Sequence, residues 1–305
     1  MQEYHHDMSN VTPLLPQSKN HKPHTAIFLS GGGSNAEKII NAVRALEDAP
    51  LELKALVTDA PKTSRANELG KTYKLPVISV DIREFYAKHG ESRVSIATPK
   101  GQELRKAWTD EVRRQIAPLK LDFAIFAGFV PLTNLTGDLP CLNVHPGDLT
   151  YLKDGERLLV GLHTIPIERA ILEGMDSLRS SVIIAQPYTG GGSEMDSGPV
   201  LGISGEVPVD LDGASHAALL ADMRKRPSLR PRGGFGDRLE AVAKRNQEIL
   251  KRNGDWVVFP RAVIDYAEGR FGMAENNQLM YLIGDKWHAI KTVIYHQSGH
   301  KELVH

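Results

Sequence analysis

Cysteine is nearly absent from this chain: Cys141 is the only one in 305 residues. A lone thiol excludes an internal disulfide and any multi-cysteine metal site, and it fits a reducing compartment, so the expected location is cytoplasmic. An excess of either charge is also missing, since 37 lysines and arginines balance 37 aspartates and glutamates. That balance gives no reason to expect nucleic acid or an anionic membrane as the main partner. No stretch of sequence reaches the roughly 18 uncharged apolar residues that a membrane helix needs. The first 24 residues have no apolar run behind a basic start, so they do not read as a secretory signal; a flexible, polar, proline-bearing tail is expected there. Internal repeats and long low-complexity tracts are lacking too. The length allows one large α/β domain, or a domain with an appendage.

What is present is an alternation of short apolar runs with helical patterns. His24 to Leu29 is a strand that breaks at Ser30-Gly31-Gly32-Gly33, and a helix begins at Ser34. Strands follow at Leu51 to Thr58, Pro76 to Val80, Phe123 to Ala127 and Ser180 to Ala185, with helices at Ser64 to Tyr73, Gly101 to Ile116 and Ile165 to Glu173. Strands apolar on both faces and alternating with helices predict an α/β fold with a mostly parallel sheet flanked by helices.

Three features carry chemistry. In Cys141-Leu142-Asn143-Val144-His145-Pro146-Gly147-Asp148, alternation along the strand puts Asn143 and His145 on one side, at the carboxyl end where open parallel sheets bind ligands. An amide can donate to a developing oxyanion and an imidazole can move a proton near neutral pH, a pairing suited to attack on a carbonyl. A turn-capping Asn143 and a satisfied buried His145 are the plainer alternative, and the spacing leaves both open. Asp196 follows a glycine-rich loop and precedes Ser197-Gly198-Pro199, which reads as a displayed carboxylate or as an ordinary turn residue. Gly31, Gly32, Gly33, Ser34 and Asn35 form either an anion cradle at a helix N-terminus or, with Glu37, a capping box on Ser34.

The order SGGGSN, AGFVPL, LNVHP, LHT and MDSGPV resembles the folate-dependent formyltransferases, most closely those acting on phosphoribosylglycinamide. The likeness runs from about Thr25 to about Trp287 and includes Tyr266 to Arg270 and Ala274-Glu275-Asn276. It implies a Rossmann-like formyltransferase domain over 25–288, with tails at 1–24 and 289–305, and a role in one-carbon metabolism and purine biosynthesis. It implies a catalytic trio on Asn143, His145 and Asp196, in which Asn143 and protonated His145 stabilise the oxyanion and Asp196 supports the imidazolium. Gly31 to Asn35 match the family's phosphate-binding loop; Phe129, Val130, Pro131, Leu132, Thr133, Gly192 and Ser193 match segments enclosing the pterin. The cosubstrate implied is 10-formyltetrahydrofolate, with no metal, and the acceptor a small, phosphorylated amine. His163 matches a family motif in an architectural role, and Cys141 is expected to be packed.

Several positions depart from the family pattern. Pro131 and Thr133 stand where arginine and leucine are common, and Ile183 stands where the glycinamide enzymes have histidine. The loop after His145, GDLTYLKDGERLLVG, replaces the usual run into a proline-glycine turn. Residues 211–255 form a longer, basic insertion carrying Arg224, Lys225, Arg226, Arg230, Arg232, Arg238, Lys244 and Arg245, either a solvated surface or a surface for an anionic acceptor. Two other readings stay open. One is hydrolysis of 10-formyltetrahydrofolate, for which residues 1–24 are too few to supply the usual regulatory domain; the other is a folate- or nucleotide-binding protein without turnover.

Overall fold

The computed structural model describes residues 11–18, 21–162, 164–188, 193–231 and 233–305. Its centre is a nine-stranded sheet in the order Lys301–Val304, Thr292–Tyr295, Val200–Ser204, Ser181–Ile184, Cys141–His145, Phe123–Phe126, His24–Phe28, Glu52–Thr58, Val77–Ser79. From Cys141–His145 to Val77–Ser79 every pairing is parallel. Ser181–Ile184 runs antiparallel to both neighbours. The expected α/β architecture with a mostly parallel sheet is therefore what the chain adopts.

Period-two alternation sorts the apolar strand residues into two cores. Ile27, Phe123, Ile125 and Leu142 face the helices Ser34–Arg44 and Trp256–Ala267. Ala26, Phe28, Ala124, Phe126 and Cys141 face the other layer, where Tyr86 of Ile82–Lys88 and Trp108 of Pro99–Ile116 are buried. Trp108 sits in the interior because its indole N–H has an acceptor, the Val80 carbonyl at 2.9 Å. Cys141 is wholly buried, and burial pushes its thiol up, so it packs rather than reacts.

Connectivity positions the site. The strand His24–Phe28 leads through a helix to Glu52–Thr58 on one side, while Phe123–Phe126 and Cys141–His145 lie on the other. At a reversal of this kind, open α/β sheets place their ligands outside the carboxyl ends of the strands. The loops flanking the reversal are tied together: Ser30 N–H donates to the Gly128 carbonyl at 3.1 Å, and Val130 N–H donates to the Ser30 hydroxyl at 2.9 Å.

Where the structure describes them, the expected tails at 1–24 and 289–305 carry strands, residues 1–10 lying outside the described residues. Val11–Pro13 pairs antiparallel with Phe271–Ala274, at the edge of a second sheet completed by Leu279–Ile283 and Lys286–Ala289. Leu15 is buried against the main core, and the Tyr266 hydroxyl holds the Leu14 carbonyl at 3.0 Å. At the other end, Thr292–Tyr295 and Lys301–Val304 form a hairpin extending the main sheet. The apolar run TVIY carries Tyr295 into the core, where its hydroxyl donates to Asp265 at 2.7 Å. Among the described residues no helix is long and apolar enough to cross a membrane.

Candidate active site

Asn143 and His145 end the strand Cys141–His145 and share a face, as alternation requires. Asp196 arrives from the 3₁₀ turn Ser193–Ser197, which joins the two strands beyond. The structure brings the imidazole and the carboxylate together, with His145 Nδ1 3.6 Å from Asp196 Oδ2 and both groups largely buried. The other ring nitrogen, Nε2, lies 2.6 Å from the Leu159 carbonyl, which can only accept, so Nε2 carries a hydrogen. The proton that comes and goes is thus the one on Nδ1, facing Asp196.

Burial lowers the proton affinity of His145, with the Asp196 charge opposing it. Burial raises that of Asp196, with His145, the Gly161 N–H and Arg157 opposing it. The two groups are pushed toward each other, the condition for sharing one proton. The Asn143 side chain is half-buried and has no hydrogen-bond partner among the described residues. Directly across from it in the sheet is Ile183, fully buried in a small apolar cluster with Leu149 and Val200. That position therefore offers apolar volume where the resembled family has an imidazole.

The segment after His145 folds back because Ser181 ties it: its hydroxyl donates to the Gly147 carbonyl at 2.7 Å and accepts from Leu149 N–H at 2.9 Å. A Cβ at Gly147 would stand 2.7 Å from the Leu159 carbonyl oxygen, so glycine is what lets that carbonyl reach His145. Sequence reasoning missed Arg157 of this loop. Its guanidinium donates through Nη1 to the Asp196 carbonyl and through Nη2 to the Gly198 carbonyl at 2.9 Å.

The structure removes one of the two readings of the glycine loop. The helix Ser34–Arg44 is N-capped by Gly33 at φ 65°, with no side-chain cap, so Ser34 and Glu37 form no capping box. Glu37 turns instead to Arg65 and Tyr73. Gly31 and Gly32 are exposed with open space around them, and the Arg65 guanidinium donates to the Gly32 carbonyl at 3.2 Å. Exposed amides at a helix start suit an anion, and the Arg65 beside them is paired with Glu37 and Glu68.

Asn35 points away from that loop. Its amide donates to Asp255 Oδ2 at 3.1 Å, and the Ser180 hydroxyl donates to Oδ1 at 2.5 Å. Burial pushes Asp255 up from the ordinary 3.8 to about 6. A folded-state value above the unfolded one means that this group favours folding most below pH 3.8, and that the contribution is lost as the pH rises to about 6. The buried carboxylate then costs about 3 kcal/mol at neutral pH. Asp255→Asn is therefore expected to flatten the pH dependence of stability across that window. Asn35 Oδ1, buried without a partner, becomes the acceptor for the new amide once Asn35 flips. Urea unfolding at pH 5 and pH 7 checks this: equal pH dependence in both proteins would remove the assignment.

In the segment assigned to the pterin, Phe129 packs against Phe28, Phe126 and Trp108. Thr133 is fully buried, with its hydroxyl accepting from Leu135 N–H, and the Leu132 carbonyl accepts from Arg105 at 3.0 Å. Pro131 is buried, so the segment presents Val130 and main chain to the crevice. Gly192, the Ser193 side chain and His163 lie outside the described residues.

In the basic insertion Arg226, Arg230, Lys244 and Arg245 are all ion-paired, to Glu168 and Asp237, to Glu240, to Glu240 and to Asp210. Arg232 is not among the described residues.

A mostly parallel sheet, its switch-point crevice and an amide, imidazole and carboxylate at its carboxyl edge define an α/β protein of the formyltransferase fold. Solved structures that share it include phosphoribosylglycinamide formyltransferase from Coxiella burnetii, at 16% identity and TM-score 0.56, covering 90% of this chain and 100% of that one. The enzyme of the same name from Anaplasma phagocytophilum aligns at 15% identity and TM-score 0.55, covering 91% of this chain and 99% of that one. Glycinamide ribonucleotide transformylase 1 from Symbiobacterium toebii aligns at 18% identity and TM-score 0.54, covering 87% and 96%. No protein-family model matches the chain, and no curated protein matches it.

Proposed function

We propose that the protein is a folate-dependent formyltransferase that moves a formyl group from 10-formyltetrahydrofolate to the amine of a small phosphorylated acceptor, with phosphoribosylglycinamide the first acceptor to test. The observation that carries this reading is the buried His145–Asp196 pair, 3.6 Å apart, two residues along the strand from the unpartnered Asn143 amide.

The residues fit a pterin in one respect that matters. Leu132 O and Val130 N–H are already used within the protein, which leaves the carbonyls of Phe129, Val130 and Pro131 as acceptors for a flat, donor-rich ring. Bound 10-formyltetrahydrofolate supplies an electrophilic formyl carbon. Asn143 donates its free amide N–H to oxygen as charge develops there. His145, fixed by its Nε2 bond to Leu159, holds or releases a proton at Nδ1. Asp196, its proton affinity raised by burial, stabilises that proton and accepts one from the attacking amine through water; a proton returned to the donor's N10 lets the N10–formyl bond break and tetrahydrofolate leave. The open amides of Gly31 and Gly32, with Arg65 beside them, bind the acceptor's phosphate.

An absorbance assay of purified protein with 10-formyltetrahydrofolate tests this, run with phosphoribosylglycinamide, with a panel of other amines and with no acceptor. Acceptor-dependent loss of the formyl group is the expected result. Formate release without acceptor would replace transfer by hydrolysis, and no turnover with any acceptor would overturn the enzymatic reading.

A further inference from the structure

The loop between His145 and the next helix does more than connect. Its hairpin pairs Leu152–Lys153 with Glu156–Arg157. From the end of its second strand onward, three residues act on the site. Arg157 donates to the carbonyls of Asp196 and Gly198. Leu159 accepts from His145 Nε2. The Gly161 N–H opposes the rise in the proton affinity of Asp196. Within five residues, one short strip of chain thus acts on both titrating groups.

Of these three contacts only Arg157 acts through its side chain and brings a charge. It is half-buried, and its hydrogen bonds run to two carbonyls of the turn that displays Asp196. Gly198 is constrained from its other side as well, because a Cβ there would stand 1.9 Å from the Ile184 carbonyl oxygen. The turn is pinned between the sheet and the guanidinium. Among the described residues, the charged groups acting on His145 are Asp196 and Arg157, and those acting on Asp196 are His145 and Arg157.

We infer that Arg157 is a positioning residue for the His145–Asp196 pair, locking the 196–198 turn by two hydrogen bonds and standing as the fixed counter-cation of the pair. The inference deepens the formyltransferase reading and rests on it for its kinetic arm. Its titration arm needs no substrate. A nearby cation favours the deprotonated form of both partners, so removing it raises the pair's titration midpoint.

Two variants separate charge from clamp. Arg157→Gln is neutral but keeps one donor for a carbonyl; Arg157→Lys keeps the charge and loses the fixed pair of hydrogen bonds to the turn. The ring of His145 is followed by NMR of histidine-labelled free protein, its signal assigned by its loss in His145→Gln. In Arg157→Gln the midpoint is expected to rise by about one pH unit. In Arg157→Lys it is expected to stay near the wild type while kcat falls about tenfold or more at unchanged acceptor KM. Should Arg157→Gln fail to fold, Arg157→Met serves as the neutral variant. A midpoint unmoved in the neutral variant would overturn the inference, leaving Arg157 as part of the framework. Absent transfer activity in the wild type would remove the functional reading and leave the titration result standing.

Discussion

His145→Gln and Asp196→Asn are each expected to lower kcat/KM for formyl transfer by about 10³-fold, and Asn143→Ala by about 10² to 10³. The ranking follows from what each group does in the proposed mechanism. His145 and Asp196 face each other across 3.6 Å and handle one proton, so losing either partner removes the function of both. Asn143 acts alone as a donor, and its loss resembles removing one donor from an oxyanion hole. The double variant His145→Gln with Asp196→Asn should therefore be little worse than either single one, because groups that act as a unit do not add. Glutamine is the informative replacement for His145, since its amide can still donate to the Leu159 carbonyl that holds Nε2. Urea midpoints close to the wild type would show that the loss lies in chemistry. Transfer surviving all three single substitutions nearly intact would sink the catalytic assignment.

How much of this site was legible depends on which atoms make it. Asn143 and His145 could be read directly, because strand alternation and the following Pro146 fix their direction from sequence alone. Asp196 could be placed beside them only through the resemblance, since no local rule brings the 193–197 turn to the end of a strand so far back in the chain. The grip of 157, 159 and 161 was not legible. Leu159 and Gly161 contribute main-chain atoms that any residue possesses, and Arg157 holds carbonyls whose positions depend on the folded loop.

The capping box failed for a related reason. Gly33 can adopt φ 65° without penalty and takes the cap position itself, leaving Glu37 free for Arg65 across the layer. Asn35 was assigned to a phosphate by its place in the motif, and the structure gives its amide to Asp255, far along the chain. The mostly parallel character of the sheet followed from the alternation of strands and helices. Its outer strand Thr292–Tyr295 did not, because a single apolar run of four residues followed by polar sequence carries little periodic signal.

The insertion at 211–255 read as a basic surface, and its largest expected effect is on stability. Arg226→Met should destabilise the protein by about 3–5 kcal/mol, the range for breaking a buried ion pair by deleting one partner. The guanidinium reaches Glu168 through Nη1 at 2.5 Å and both Asp237 oxygens through Nε and Nη2, at 2.6 and 2.8 Å. It also lies over the Phe235 ring at 4.0 Å. Glu168 is almost wholly buried; with Arg226 gone it would keep only the Thr164 hydroxyl, at 2.7 Å. Asp237, which Arg226 holds below the usual carboxylate range, also caps the helix Arg238–Leu250 through Glu240 N–H at 2.8 Å. Loss of the arginine thus exposes a helix start and strands a buried charge together. Arg224→Ala and Lys225→Ala, on the exposed face beside it, should leave both stability and acceptor KM unchanged if the segment is architectural. Urea unfolding with acceptor kinetics on the three variants checks this: a higher acceptor KM in the Arg224 or Lys225 variant, without loss of stability, would restore the insertion as a binding surface for an anionic acceptor.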